Sequence, residues 1–129
     1  MSACYALWRD HEEALLEQAT DRLLDYARAQ EAESRIFSGG DGYVASITEV
    51  QESWLNWRDD ECLIATLDAV GGSIRQITYP SCQASLTAQR HQQLDAVLEF
   101  WRAEFRDENG ELSGVGCILE ATAFRHCQR

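Results

Sequence analysis

The sequence predicts an all-α fold: three main antiparallel helices plus a short C-terminal helical segment, stapled by disulfides. Three observations carry this expectation. Apolar residues recur at steps of three, four or seven along three long stretches, the spacing of one helix face. Glycine clusters separate those stretches, and proline occurs once. Five cysteines in a chain of 129 residues exceed what a reducing cytosol explains. The length suits one core, so residues 1–129 are read as a single helical domain, with 107–129 as an extension packed on it.

The first helix is expected from about Tyr5 to Ile36, with Trp8, Leu15, Ala19, Leu23 and Tyr26 on its inner face. "SGGDG", Ser38 to Gly42, has three glycines in four residues and turns the chain. The second helix should run from about Tyr43 to Ala69. At 100° per residue, Ile47, Val50, Trp54, Trp57 and Ala65 share one broad face, and Gln51, Arg58, Glu61 and Cys62 fall in the same arc. Asp59 and Asp60 point the other way. An arginine in that arc needs an acid, because an unpaired buried charge costs several kcal/mol. Glu61 is within reach, as are Asp21 and Asp25 of the first helix. The arrangement reads as structural polar glue. Leu63 and Leu67 fall outward, so the C-terminal segment is expected to cover them.

"VGGS", Val70 to Ser73, stops the second helix, and an irregular link should follow through Tyr79. Pro80 suits the first turn of a third helix reaching about Arg106. Its stripe is Cys82, Leu86, Arg90, Leu94, Val97, Trp101 and Phe105. After the polar break "RDENGELSG" comes a short amphipathic tail. Its "GCILEATAFRH" echoes "SCQASLTAQRH" of the third helix, a match of four letters.

Cys62 ends the second helix and Cys82 begins the third. A hairpin brings them together, and the bridge closes a loop worth about 3 kcal/mol in the chain-entropy model. Of the other cysteines, Cys117 and Cys127 on one straight helix would lie about 15 Å apart and could not bond. The favoured pairing is therefore Cys4–Cys127 with Cys117 unpaired. If Cys4 carries lipid or the tail is not helical, Cys117–Cys127 replaces it.

Acids number 22 and bases 11, all arginine, for a net charge of -11. That balance disfavours nucleic acid and anionic lipid and favours a basic partner. No Ser/His/Asp arrangement, phosphate loop or metal spacing occurs, so no catalytic residue, metal or cofactor is expected. His11, His91 and His126 sit on separate segments, with His91 expected to face solvent. No run is long enough to span a bilayer, and there is no signal peptide, so an exported form would be numbered from near its mature start. "MSAC" allows a lipid on Cys4 as the sole membrane link.

The spacing of Gln51, Trp54, Arg58, Cys62, then Gly71, Gly72, Ser73, then Cys82, Thr87 and Arg90 resembles the LprI-like lysozyme-inhibitor family. The match covers residues 51–94. Asp21, Leu24 and Asp25 follow the family's front half loosely, Arg28 stands where it has tyrosine, and the tail is additional. Relatives also tend to carry an N-terminal cysteine pair, of which only Cys4 is present. The resemblance implies a helical bacterial protein that is periplasmic, secreted or lipid-anchored and that inhibits a lysozyme or other muramidase. Expected contacts are exposed acids and the loop after the second helix: Asp59, Asp60, Asp68, Ser73, Arg75 and Tyr79. The alternatives are an immunity protein against a cell-wall-degrading toxin, and a structural envelope protein, with a homodimer as one arrangement.

Overall fold

A computed structural model describes residues 2–33, 42–69 and 71–104. Within them are α1 (Ser2–Glu33), α2 (Tyr43–Ala65), a 3-10 turn (Leu67–Ala69) and α3 (Arg75–Glu104). Among the described residues there is no strand. The tail expected to form a fourth segment lies outside them.

The senses of the helices follow from their contacts. Between α1 and α3 the partners advance together: Arg9 bonds Gln83, Arg22 bonds Asp95, and Tyr26 reaches the Trp101 carbonyl. Between α2 and α3 they advance in opposite directions: Cys62 joins Cys82, Arg90 bonds Gln51, and Tyr43 meets Trp101. The first and third helices therefore run the same way, and α2 runs against α3.

The core is Leu16, Ala19 and Leu23 of α1 against Leu94 and Leu98 of α3. Tyr26, Ile47, Trp54, Leu55, Val97 and Trp101 close around it. Small side chains sit at the tightest places: Ala19, Ala27 and Ala84 are all buried, and short side chains let helix axes approach. Trp8, expected inside, is exposed, and Leu16 takes a core place instead.

The helix ends are satisfied in different ways. Gly42 supplies no side-chain cap to α2. Glu31 of α1 does so from outside, its carboxylate accepting from the Val44 amide at 3.0 Å. A carboxylate there also meets the positive end of the α2 dipole. Thr66 closes the other end, donating its hydroxyl and its amide to the Cys62 carbonyl at 2.7 and 3.1 Å. Gly71 then turns the chain with φ +84°, a conformation open to glycine at little cost.

The third helix starts earlier than the sequence indicated. It begins at Arg75, so Pro80 lies in its second turn and not its first. The entry is a tightened turn in which Ile77 and Thr78 both donate to the Ile74 carbonyl, at 3.0 and 2.9 Å. Pro80 has no amide to offer the carbonyl of Gln76, a residue that is itself exposed.

Cys62 and Cys82 are bonded, with Cα atoms 5.6 Å apart and 20 residues between them in sequence. Cys4, expected to pair with Cys127, is an exposed free thiol on the first turn of α1. Cys117 and Cys127 lie outside the described residues. A Cys62→Ala/Cys82→Ala double variant should lose about 3 kcal/mol of unfolding free energy. Urea denaturation reads this directly, and a midpoint equal to that of the oxidised wild type would show that the bridge does not stabilise the hairpin.

Candidate functional site

One side of α2 carries Gln51, Arg58 and Cys62, all buried. Polar residues at i, i+7 and i+11 share a face, so helix geometry alone aligns them. All three nitrogens of the Arg58 guanidinium donate. Its Nε and Nη2 donate to Asp59 Oδ1 at 3.0 and 2.9 Å. Its Nη1 donates to Glu13 Oε1 and to Thr87 Oγ1, each at 3.0 Å. Thr87 in turn donates to the Gln83 carbonyl at 2.6 Å. Arg58 thus binds all three helices through charge-assisted bonds.

The expected acids are not the ones used. Glu61 is exposed, and no ion pair links Asp21 or Asp25 to Arg58. Asp59 was expected in solvent, yet it turns inward. The cause is the rotation of α2. Its buried side centres on Gln51, Arg58 and Cys62, about 90° from the apolar arc through Trp54 and Trp57. That rotation sets Asp59 and Glu61 about equally far to either side of the buried centre, and Asp59 lies on the side where Gln83 of α3 also bonds it.

Asp59 extends the network. Its Oδ1 also accepts from Gln83 Nε2 at 2.8 Å, and Gln83 Oε1 accepts from Arg9 at 3.2 Å. The Tyr79 hydroxyl donates to the Asp59 carbonyl at 3.4 Å. Glu13, Gln83 and Arg9 were not singled out in the sequence. The one signal was the need of Arg58 for an acid, which many residues of so acidic a chain could have met.

A second arginine lies nearby. Arg90 donates from Nε and Nη2 to Gln51 Oε1, both at 3.3 Å. Burial pulls its pKa below the ordinary arginine value. The Trp54 ring offsets part of this desolvation, with the Arg90 and Arg58 guanidinium carbons 5.5 and 5.9 Å from its centroid. The spaced residues Gln51, Trp54, Arg58, Thr87 and Arg90 therefore form one buried cluster beside the disulfide. Gly71, Gly72 and Ser73 form the exposed corner below it.

The candidate contact residues divide. Asp60, Asp68 and Ser73 are exposed, whereas Asp59 is committed to Arg58 and Gln83. Arg75 lies 5.7 Å from the centre of the Tyr79 ring. Both line an open cleft of about 590 Å³ with Arg9, Gly72, Gln76 and Pro80.

His91 departs from expectation. It is largely buried and meets Glu12 at 2.7 Å across α1 and α3. His11 is exposed, and His126 lies outside the described residues. Among the described residues no group of three or more His, Cys, Asp or Glu could hold a metal. No described helix is long and apolar enough to cross a membrane.

The family described as lysozyme inhibitor LprI matches residues 1–94. An uncharacterized protein of Rhizobium meliloti (strain 1021) is 31% identical over 58 residues, which are 45% of this chain and 42% of that protein. The chain thus spans less than half the length of that relative. No solved structure matches it.

The network makes a directional prediction. A Glu13→Ala/Asp59→Ala variant leaves the Arg58 guanidinium buried without a countercharge and should cost about 3–5 kcal/mol. Arg58→Met removes the charge but keeps much of the volume, and should cost less. Denaturation midpoints of the two variants check the order; the reverse order would mean that packing, not charge, governs the cluster.

Proposed function

The chain belongs to the LprI lysozyme-inhibitor family, and from that premise we propose that it inhibits a basic lysozyme or related muramidase by protein–protein contact. The observation that carries the reading is its charge: 22 acids against 11 bases, for a net -11. Several arginines are already matched inside the protein. Arg9, Arg22, Arg28 and Arg58 each pair with an acid of the same chain. Glu17, Asp21, Glu49, Glu52, Asp60 and Glu61 remain exposed. A surface of that sign attracts a cationic enzyme and speeds encounter, most strongly at low salt.

Export to an oxidising compartment is part of the proposal, and the Cys62–Cys82 bridge supports it. Whether the target belongs to a host or to a competing cell is the distinction between an inhibitor and an immunity protein. Broad action on unrelated lysozymes favours the first.

The assay is lysis of bacterial cell walls by a basic lysozyme, with and without the oxidised chain. Lysis should slow in proportion to the chain added. The effect should fade as salt shortens the screening length below about 10 Å. Undiminished lysis together with no complex at low salt would refute the reading.

A further inference from the structure

We propose that the outer face of α2, centred on Trp57, is the surface on which the basic partner docks. The inference deepens the inhibitor reading and rests on it for the identity of that partner. It places the contact on the helix and not on the corner loop.

The starting observation is a row of large apolar side chains on the wrong side of a helix. Val50, Trp57 and Ile64 are 55%, 49% and 64% exposed. They are spaced by seven residues, which aligns them within about 20° per step and about 10 Å apart along the axis. Tyr43 begins the same spacing, but its ring lies against Trp101 at 6.4 Å. The row lies about 120° around the helix from the buried Gln51, Arg58 and Cys62, and burial of apolar surface alone would turn it inward. The Cys62 bridge, the Arg58 cluster and the Gln51–Arg90 bonds hold the helix in the other orientation. The apolar row is left outside as a result.

Trp57 is supported from beneath. Its ring lies 6.4 Å from that of Trp54, inclined by 45°. Trp54 is itself held by two guanidinium groups. An exposed ring on a fixed base loses little freedom on binding, and tryptophan is a favoured anchor of protein interfaces.

The surroundings select the partner. Glu61 borders the row on one side, and Glu49 and Asp60 border it on the other, all exposed. The single base of α2 is Arg58, which is buried. The charged residues that α2 sets around the row are therefore all acidic, with the neutral Ser46 and Ser53 among them. The row with its helix width covers about 200 Å², near a quarter of the roughly 800 Å² each partner gives to an ordinary interface. That suits an apolar centre inside a polar rim. A second copy would set acids against acids, whereas a cationic protein completes the charge.

The test is calorimetric titration of the full oxidised chain with a basic c-type lysozyme at low salt. Trp57→Ala should weaken binding about tenfold or more. Asp60→Arg, which alters only the rim, should weaken it and flatten the salt dependence. Arg75→Ala, in the corner cleft, should bind like the wild type. A wild-type complex indifferent to both Trp57→Ala and Asp60→Arg overturns the inference alone, as does a loss confined to Arg75→Ala. A wild type that binds no lysozyme overturns the inhibitor reading and the inference with it. Sedimentation velocity on the chain by itself adds one arm: a dimer abolished by Trp57→Ala would give the face to a second copy and overturn the inference.

Discussion

The burial of one guanidinium is the constraint on which the arrangement of the three helices depends. Taking a charge out of water costs several kcal/mol even after relaxation, and only close, well-directed acceptors offset it. Arg58 finds them on α1, on α2 itself and on α3. Moving α1 or α3 away from α2 would break the Arg58 bond to Glu13 or to Thr87. The disulfide constrains the same corner covalently, so the rotation of α2 about its own axis is set twice, once by charge and once by sulfur. The apolar core of α1 and α3 leaves that rotation undetermined. Leucine packing tolerates small turns of a helix, whereas the directed bonds of Arg58 to Glu13 and Thr87 on the two neighbouring helices do not.

This division explains what was legible beforehand. Three helices, their glycine breaks and the Cys62–Cys82 bridge follow from spacing and turn chemistry, which are local. The burial of Arg58 was also legible, since its position falls in the arc of Gln51 and Cys62. Its partners were not. Choosing between Asp59 and Glu61 required the helix rotation to within a few tens of degrees, and apolar periodicity points to Trp54 and Trp57. Here that indicator misleads, because polar and covalent contacts override the apolar moment. The start of α3 was misjudged for another reason. Pro80 is the strongest punctuation in the segment, and a tightened entry turn lets the helix begin before it. Glu31 as the cap of α2 was hidden because it comes from another helix.

The same division separates the two roles of the sequence. Gln51, Trp54, Arg58, Cys62, Cys82, Thr87 and Arg90 carry the family pattern, and in the structure they build the interior of the corner. Their presence specifies a scaffold. The contact proposed for inhibition calls for different residues, exposed and unlike those of the interior in chemistry, such as Val50, Trp57 and Ile64 on the outer face of α2. Fold and function are thus argued from opposite sides of a single helix.

That two-sidedness bears on how such proteins diversify. Substitutions along the solvent strip of α2 leave the guanidinium, the sulfur bridge and the leucine interior untouched. Recognition can therefore drift while architecture stays conserved. Homologues with an identical interior signature would then meet unrelated enzymes, and their specificities would be found by comparing the painted side, not the hidden one.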